Sequence, residues 1–162
     1  MGISLFTPAP IPSDDHRRLV AVAASGLIDS HRDPRLMALA KRTRVTLHAQ
    51  WAGVTVISAE SQHVIAASGG MLGIYRRSTS ISSYVVNAPD APFVVLDASK
   101  DERLAGSPFV YDGLIRFYAG VAFRDRDGHA LGALCITDAE PRDSFSDEEI
   151  ALLTAFAGEV VA

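Results

Sequence analysis

The segment Leu114-Ile115-Arg116-Phe117-Tyr118-Ala119-Gly120-Val121-Ala122-Phe123 places a guanidinium and a phenol two residues apart in a β-rich run. Strand side chains alternate between faces. One face therefore carries Ile115, Phe117, Ala119, Val121 and Phe123, is wholly apolar, and is predicted to meet a helix layer. The other carries Leu114, Arg116, Tyr118, Gly120 and Ala122. An ion, a phenol and a gap at glycine fit either a ligand cavity or a buried ion-pair network. A buried guanidinium must find a partner, and two chemistries would supply one. In the first, Asp97 or Asp101, which fall with Arg103 just after a strand end, pairs with Arg116 and pins a short helix. In the second, Arg116 and Tyr118 orient an anionic or polar small molecule.

Catalytic alternatives are poorly provided for. No Gly-x-Ser-x-Gly elbow, P-loop, glycine-rich dinucleotide turn or His-Glu-x-x-His occurs. The five histidines (His16, His31, His48, His63, His129) are scattered without ligand-like spacing. Asp14-Asp15 and Asp147-Glu148-Glu149 open helices, where the dipole accounts for them. Cys135, the only cysteine, lies in the apolar run Leu134-Cys135-Ile136 and reads as a small hydrophobe. Trp51 reads as a packing residue between a helix and a strand. The residues imply no metal and leave the cofactor unknown.

The elements that position these groups follow from pattern. Residues 1–12, with prolines at 8, 10 and 12, read as an extended arm, and residues 13–162 as one domain. Ser13 caps a first helix through Leu27, and Asp33-Pro34 opens a second through Leu47. Residues 53–58 and 63–68 form a hairpin, closed by the glycine-containing stretch 69–73. Residues 81–86 read as a short helix and 93–96 as a buried strand. Ser99 and Glu102 have capping-box spacing. Residues 114–123 and 130–137 are strands joined by a turn at Asp127-Gly128. Ser146 and Glu149 form a second capping box, opening a helix with Ile150, Leu153, Phe156, Ala157 and Val160 on one face. Helices at both ends of a run of hairpins indicate an α+β fold with a mainly antiparallel sheet.

Composition narrows the class further. A chain of 162 residues, 48% hydrophobic and 21% charged, is that of a globular domain. The net charge of -4 argues against nucleic acid or an anionic membrane as partner. The pairs Arg17-Arg18 and Arg76-Arg77 read as solvated faces. No apolar run is long enough for a membrane span, the first 13 residues do not read as a signal peptide, and one cysteine suits a reducing compartment. A cytoplasmic location is predicted.

The order Asp97-Ala98-Ser99-Lys100-Asp101-Glu102-Arg103-Leu104, Ser107-Pro108-Phe109-Val110, Ile115-Arg116-Phe117-Tyr118-Ala119-Gly120, Leu131-Gly132-Ala133-Leu134-Cys135-Ile136, Asp138 and Pro141-Arg142 resembles the GAF domain family, in its bacterial sensor branch. The resemblance implies a central antiparallel sheet of about six strands. Terminal helices would cover one face, and short helices and loops would roof a pocket on the other. On that plan Ser82 joins Arg116 and Tyr118 around a ligand, and Ser80 and Tyr84 line the opposite wall. Where many relatives read Ser-Phe-Cys, this chain reads Ser80-Ile81-Ser82, so the pocket-side cysteine is a hydroxyl. The family's methionine-sulfoxide-reductase branch works through several cysteines, and one cannot serve as both nucleophile and resolving thiol. The resemblance therefore implies a small-molecule-sensing or regulatory module. Homodimerisation through the terminal helices is expected, because Ile150, Leu152, Leu153, Phe156, Val160 and Val161 exceed one buried stripe. The alternatives are a divergent reductase, or a sensor carrying a haem, flavin or bilin chromophore.

Overall fold

A computed structural model describes residues 6–70 and 72–161; residues 1–5 of the expected arm lie outside the described residues. Helix α1 (Asp15–Ser25) begins one residue later than a Ser13 cap predicts, with Asp14 at its N-cap, and ends at Gly26, whose φ of 68° is left-handed. Helix α2 (Pro34–Thr46) starts where Asp33-Pro34 predicts, the Asp33 carboxylate accepting from the Arg35 amide at 2.8 Å. Strands β1 (Trp51–Ile57) and β2 (Ser61–Ser68) form the expected hairpin. The chain then turns back on β2 as β3 (Gly73–Arg76). The remaining elements are α3 (Ser83–Asn87), β4 (Phe93–Val95), α4 (Pro108–Tyr111), β5 (Phe117–Arg124), β6 (Ala130–Asp138) and α5 (Asp147–Ala157). The Ser146–Glu149 capping box forms in both directions, at 3.1 Å each way.

The six strands make one antiparallel sheet in the order β3-β2-β1-β6-β5-β4. Side-chain alternation divides its two faces. Ala52, Val54 and Val56 of β1, Phe117, Ala119, Val121 and Phe123 of β5, and Leu134 and Ile136 of β6 point into one core. Val22, Leu36, Leu39 and Leu153 of α1, α2 and α5 cover them. Tyr118, Ala133 and Cys135 point the other way, against Ile81, Tyr84, Val85, Leu104 and Val110 of the short helices and loops. Each fully buried aliphatic or Phe side chain contributes about 1.5–3 kcal/mol, so both layers are held to the sheet mainly by burial. This is the α+β arrangement expected, with the helices on one face and a roof on the other.

Several local expectations fail, each for a physical reason. Strand β5 starts at Phe117 rather than Leu114, and Ile115 packs with the roof side instead of the helix layer. The Ser99–Glu102 capping box does not form. Asp97, two residues earlier, takes both the Ser99 amide (3.0 Å) and its hydroxyl (2.6 Å) and caps a single 3-10 turn, Ala98–Lys100. Only half of each arginine pair is a solvated face: Arg17 and Arg76 are exposed, but Arg18 is 2% and Arg77 7% exposed, and both bind the buried carboxylate of Asp15. Asp15 is thus an ion-pair hub as well as a first-turn carboxylate. No described helix is long and apolar enough to cross a membrane.

Candidate functional site

Between the sheet and its roof lies a cavity of about 770 Å³. Strands β1, β2, β5 and β6 supply its floor through Trp51, Thr55, Gln62, Val64, Tyr118, Cys135 and Thr137. Tyr75, Arg76, residues 79–82, Pro108, Phe109, Leu114 and Ile115 supply the walls and roof. The floor and one wall are shaped by aromatic rings lying over glycines of their own strand. A Cβ on Gly53 would stand 2.2 Å from the Trp51 ring, and one on Gly120 would stand 2.6 Å from the Tyr118 hydroxyl. One on Gly73 would stand 2.8 Å from that of Tyr75. Residues i and i+2 share a strand face, so an aromatic two residues from a glycine folds flat across the gap.

The polar groups are few and mostly committed to one another. The Tyr118 and Ser82 hydroxyls share a hydrogen bond of 2.7 Å, and the Ser82 hydroxyl also donates to Cys135 Sγ at 3.8 Å. The Ser80 hydroxyl donates to the side-chain amide oxygen Oε1 of Gln62 and receives the Ser83 amide at 3.2 Å. Burial holds the Tyr118 phenol well above its ordinary range and pushes the Cys135 thiol up to about 11. Both are therefore neutral at physiological pH. Arg76 is the one charged side chain in the lining, which holds no carboxylate among the described residues.

The eight residues singled out by sequence divide into two groups. Ser80, Ser82 and Tyr118 line the cavity together. Arg116, Asp97, Asp101, Arg103 and Tyr84 do not. Because β5 begins one residue after it, Arg116 escapes the strand's alternation, and its guanidinium donates to the carbonyls of Val110 (2.5 Å) and Ile115 (3.2 Å). The expected pairing of Asp97 or Asp101 with Arg116 is absent among the described ion pairs. Asp97 caps its own turn, and Asp101 binds Arg103 at 2.7 and 3.0 Å. Hydrogen bonds from Ser99, and those from Arg103, hold the Asp97 and Asp101 carboxyls below their ordinary value. Arg103 lies over the rings of Tyr84 (5.2 Å) and Phe93 (5.0 Å), which stack on each other at 5.2 Å. The N-terminal segment seals this cluster: Phe6 meets Tyr84 edge-on, Tyr84 donates to the Thr7 carbonyl, and the Thr7 amide donates to Arg103 O at 2.8 Å.

The sequence model of the GAF domain matches residues 31–162. The chain belongs to the GAF domain family. It is 30% identical over 159 residues to a cyclic di-GMP phosphodiesterase of Pseudomonas aeruginosa, covering 98% of this chain and 27% of that protein's length. Its fold is similar to the GAF domain of a phosphoenolpyruvate-protein phosphotransferase from Coxiella burnetii, with a TM-score of 0.66 at 16% identity over 92% of this chain and 93% of the other. It is also similar to a type II free methionine-R-sulfoxide reductase from Thermoplasma acidophilum, with a TM-score of 0.60 at 19% identity over 76% and 84% of the two chains.

Sequence reasoning missed some of the cavity lining of this GAF domain. Trp51, read as packing between elements, is the first residue of β1 and lies on the cavity floor. The signal was present in Trp51-Ala52-Gly53 and Gly73-Ile74-Tyr75, which repeat the spacing of Tyr118-Ala119-Gly120. Cys135 also lines the cavity, 2% exposed. His129 does have potential co-ligands, because the β5–β6 turn gathers Asp125, Asp127 and His129 with their side-chain ligand atoms within 4.8 Å of one another. There Asp125 already accepts the amides of Asp127 (3.0 Å) and His129 (2.9 Å), the bonding that closes the turn.

Proposed function

We propose that this GAF domain is a sensory, regulatory module that binds a small molecule between the sheet and its roof without transforming it. The observation that carries this reading is the cavity lining. Aromatic side chains of Trp51, Tyr75, Phe109 and Tyr118 combine with a few hydroxyls and amides and a single cation, Arg76. Mostly apolar walls with a few placed polar groups are what ligand sites share. The thiol in the wall is protonated and so is no nucleophile. Ser80, Ser82 and Tyr118 touch the ligand, while Arg116, Asp97, Asp101, Arg103 and Tyr84 hold the shape of the surrounding roof. Likeness to a quarter of a cyclic di-GMP phosphodiesterase supports a place in signal transduction, and a free, buried cysteine fits a cytoplasmic setting. Pairing of two copies through the helix layer belongs to the same proposal. Leu152 and Val161, with Val20 on α1 and Val45 on α2, leave aliphatic surface exposed there.

Native mass spectrometry of the purified protein is expected to reveal a co-purifying small molecule. A thermal-shift screen of metabolites should then find one that stabilises the fold by mass action. Thr79, half-buried on the cavity wall, is the place to fill it. Thr79→Trp should abolish both the bound mass and the shift. No bound mass and no stabilising metabolite, or shifts of equal size in the variant, would overturn the reading. Light scattering that finds only monomer at high concentration would remove the pairing.

A further inference from the structure

The Asp15 carboxylate sits between two buried guanidiniums. Arg18 Nε reaches it at 2.9 Å from one turn along α1, and Arg77 binds it with two donors, at 2.8 and 2.9 Å. Asp15 is 9% exposed, Arg18 2% and Arg77 7%. The cluster lies at the end of the sheet where β1 stops and β6 begins. Arg18 there also donates to Ile57 O at 2.7 Å, and Arg77 to Ser58 O at 3.3 Å.

One carboxylate is enough to neutralise one guanidinium, so Arg18 alone would balance Asp15. Arg77 adds a second buried cation to that one carboxylate, with only the exposed Asp14 nearby to offset it. A second buried cation is costly to desolvate, and Arg18 Nη2 is left buried without a partner. What Arg77 contributes is a connection. Its side chain ends on α1 while its backbone anchors the cavity roof: its carbonyl accepts the Ser80 amide at 3.0 Å and the Ser83 hydroxyl at 3.1 Å. Ser80, in turn, is bonded to Gln62 across the cavity wall. No other ion pair among the described residues joins a terminal helix to the roof segment.

We infer that Arg77 is a positioning residue that couples the cavity roof, residues 78–86, to helix α1 around the end of the sheet. A change in roof position on ligand binding is then felt at α1, and by linkage a change in α1 alters the roof. The inference rests on the cavity being the ligand site, yet its test needs no ligand, so it fails or stands separately from the binding experiments.

The test is a double-mutant cycle on the full chain. Ala23→Gly loosens α1 at an exposed position, and Arg77→Met cuts the tie while leaving Asp15 balanced by Arg18. Two readouts report the roof: amide exchange of residues 78–86 and acrylamide quenching of Trp51, the only tryptophan. In the wild-type background, Ala23→Gly should speed roof exchange by about fivefold or more and raise Trp51 quenching, with α5 unchanged. In the Arg77→Met background it should change neither. A roof indifferent to Ala23→Gly, or equally responsive in both backgrounds, would overturn the coupling. So would an Arg77→Met protein that loses protection uniformly, α5 included. Should Arg77→Met fail to fold, Arg77→Lys replaces it, with the response to Ala23→Gly reduced rather than abolished, and an undiminished response overturns the coupling.

Discussion

At Gly53 the sheet has room for an indole only because no Cβ occupies it. The Cβ of Gly53→Ala would fall 2.2 Å from Trp51 Cη2, so the ring must swing off the floor and into the cavity. Overpacking of this kind costs about 1–3 kcal/mol. Urea denaturation should show that loss together with a shift in Trp51 emission. Gly132→Ala is expected to cost more, because its Cβ would meet the Thr55 backbone carbonyl at 1.8 Å, and strand pairing cannot rotate out of the way as a side chain can. Equal stabilities for wild type and Gly53→Ala would show that the ring does not lie where the cavity needs it. The gap at Gly120 was legible in sequence because Tyr118 sits two residues away on a strand of unmistakable pattern. Arg116 was misplaced because Leu114 and Ile115 extend that pattern by composition, although the paired register starts only at Phe117, the Arg116 amide giving the ladder its terminal bond to Asp138 O at 2.8 Å. Nothing local in a sequence says where a ladder begins.

Elements with chemical punctuation were legible, and those without it were not. Asp33-Pro34, the Asp127-Gly128 turn and the Ser146–Glu149 box each satisfy or omit a particular backbone group, so their sequence carries the structure. Strand β3 and helix α4 have four residues apiece, too short for any periodicity to accumulate, and they form because the sheet and roof around them need covering. The Ser99–Glu102 box was legible but wrong, since a better acceptor, Asp97, lies two residues upstream. This contrast gives a prediction at the scale of elements. Ser146→Ala should cost about 1 kcal/mol in urea unfolding, as loss of an N-cap does, whereas Ser99→Ala, which supplies no cap to Glu102, should cost well under half as much. A Ser99→Ala loss matching that of Ser146→Ala would mean that the first box forms after all. The second arginine of each pair shows the complementary failure, since Arg17 and Arg76 are exposed as expected but Arg18 and Arg77 are buried. Arg77 is buried by a carboxylate 62 residues away, a distance across which charge patterning gives no warning.

For the whole molecule, the buried titratable groups set both edges of the pH range in which the fold is stable. Hydrogen bonds from Arg77 foremost, opposed by burial and aided by Arg18, hold the Asp15 carboxyl below its ordinary 3.8. The unfolded chain therefore binds the proton more readily. Stability from this group is complete above the ordinary carboxylate value and is lost as pH falls through the folded one. At the other edge the sign reverses. The Cys135 thiol keeps its proton to about 11 in the fold, against 9.0 in an unfolded chain, and burial likewise raises Tyr118. The native state then holds the extra proton, so stability falls as pH climbs from 9 towards 11, by about 2–3 kcal/mol for the thiol alone. Urea midpoints measured across pH should trace a plateau with an acid edge and an alkaline edge. Cys135→Ser should make the alkaline edge shallower, leaving the share that Tyr118 contributes, and leave the acid edge in place, because serine does not titrate there. Arg77→Met should do the reverse: with one of its two guanidiniums gone, the folded Asp15 value moves back towards 3.8 and the acid edge loses part of its depth. If Cys135→Ser left the alkaline slope as steep as in the wild type, the thiol could not be buried and protonated in the cavity wall.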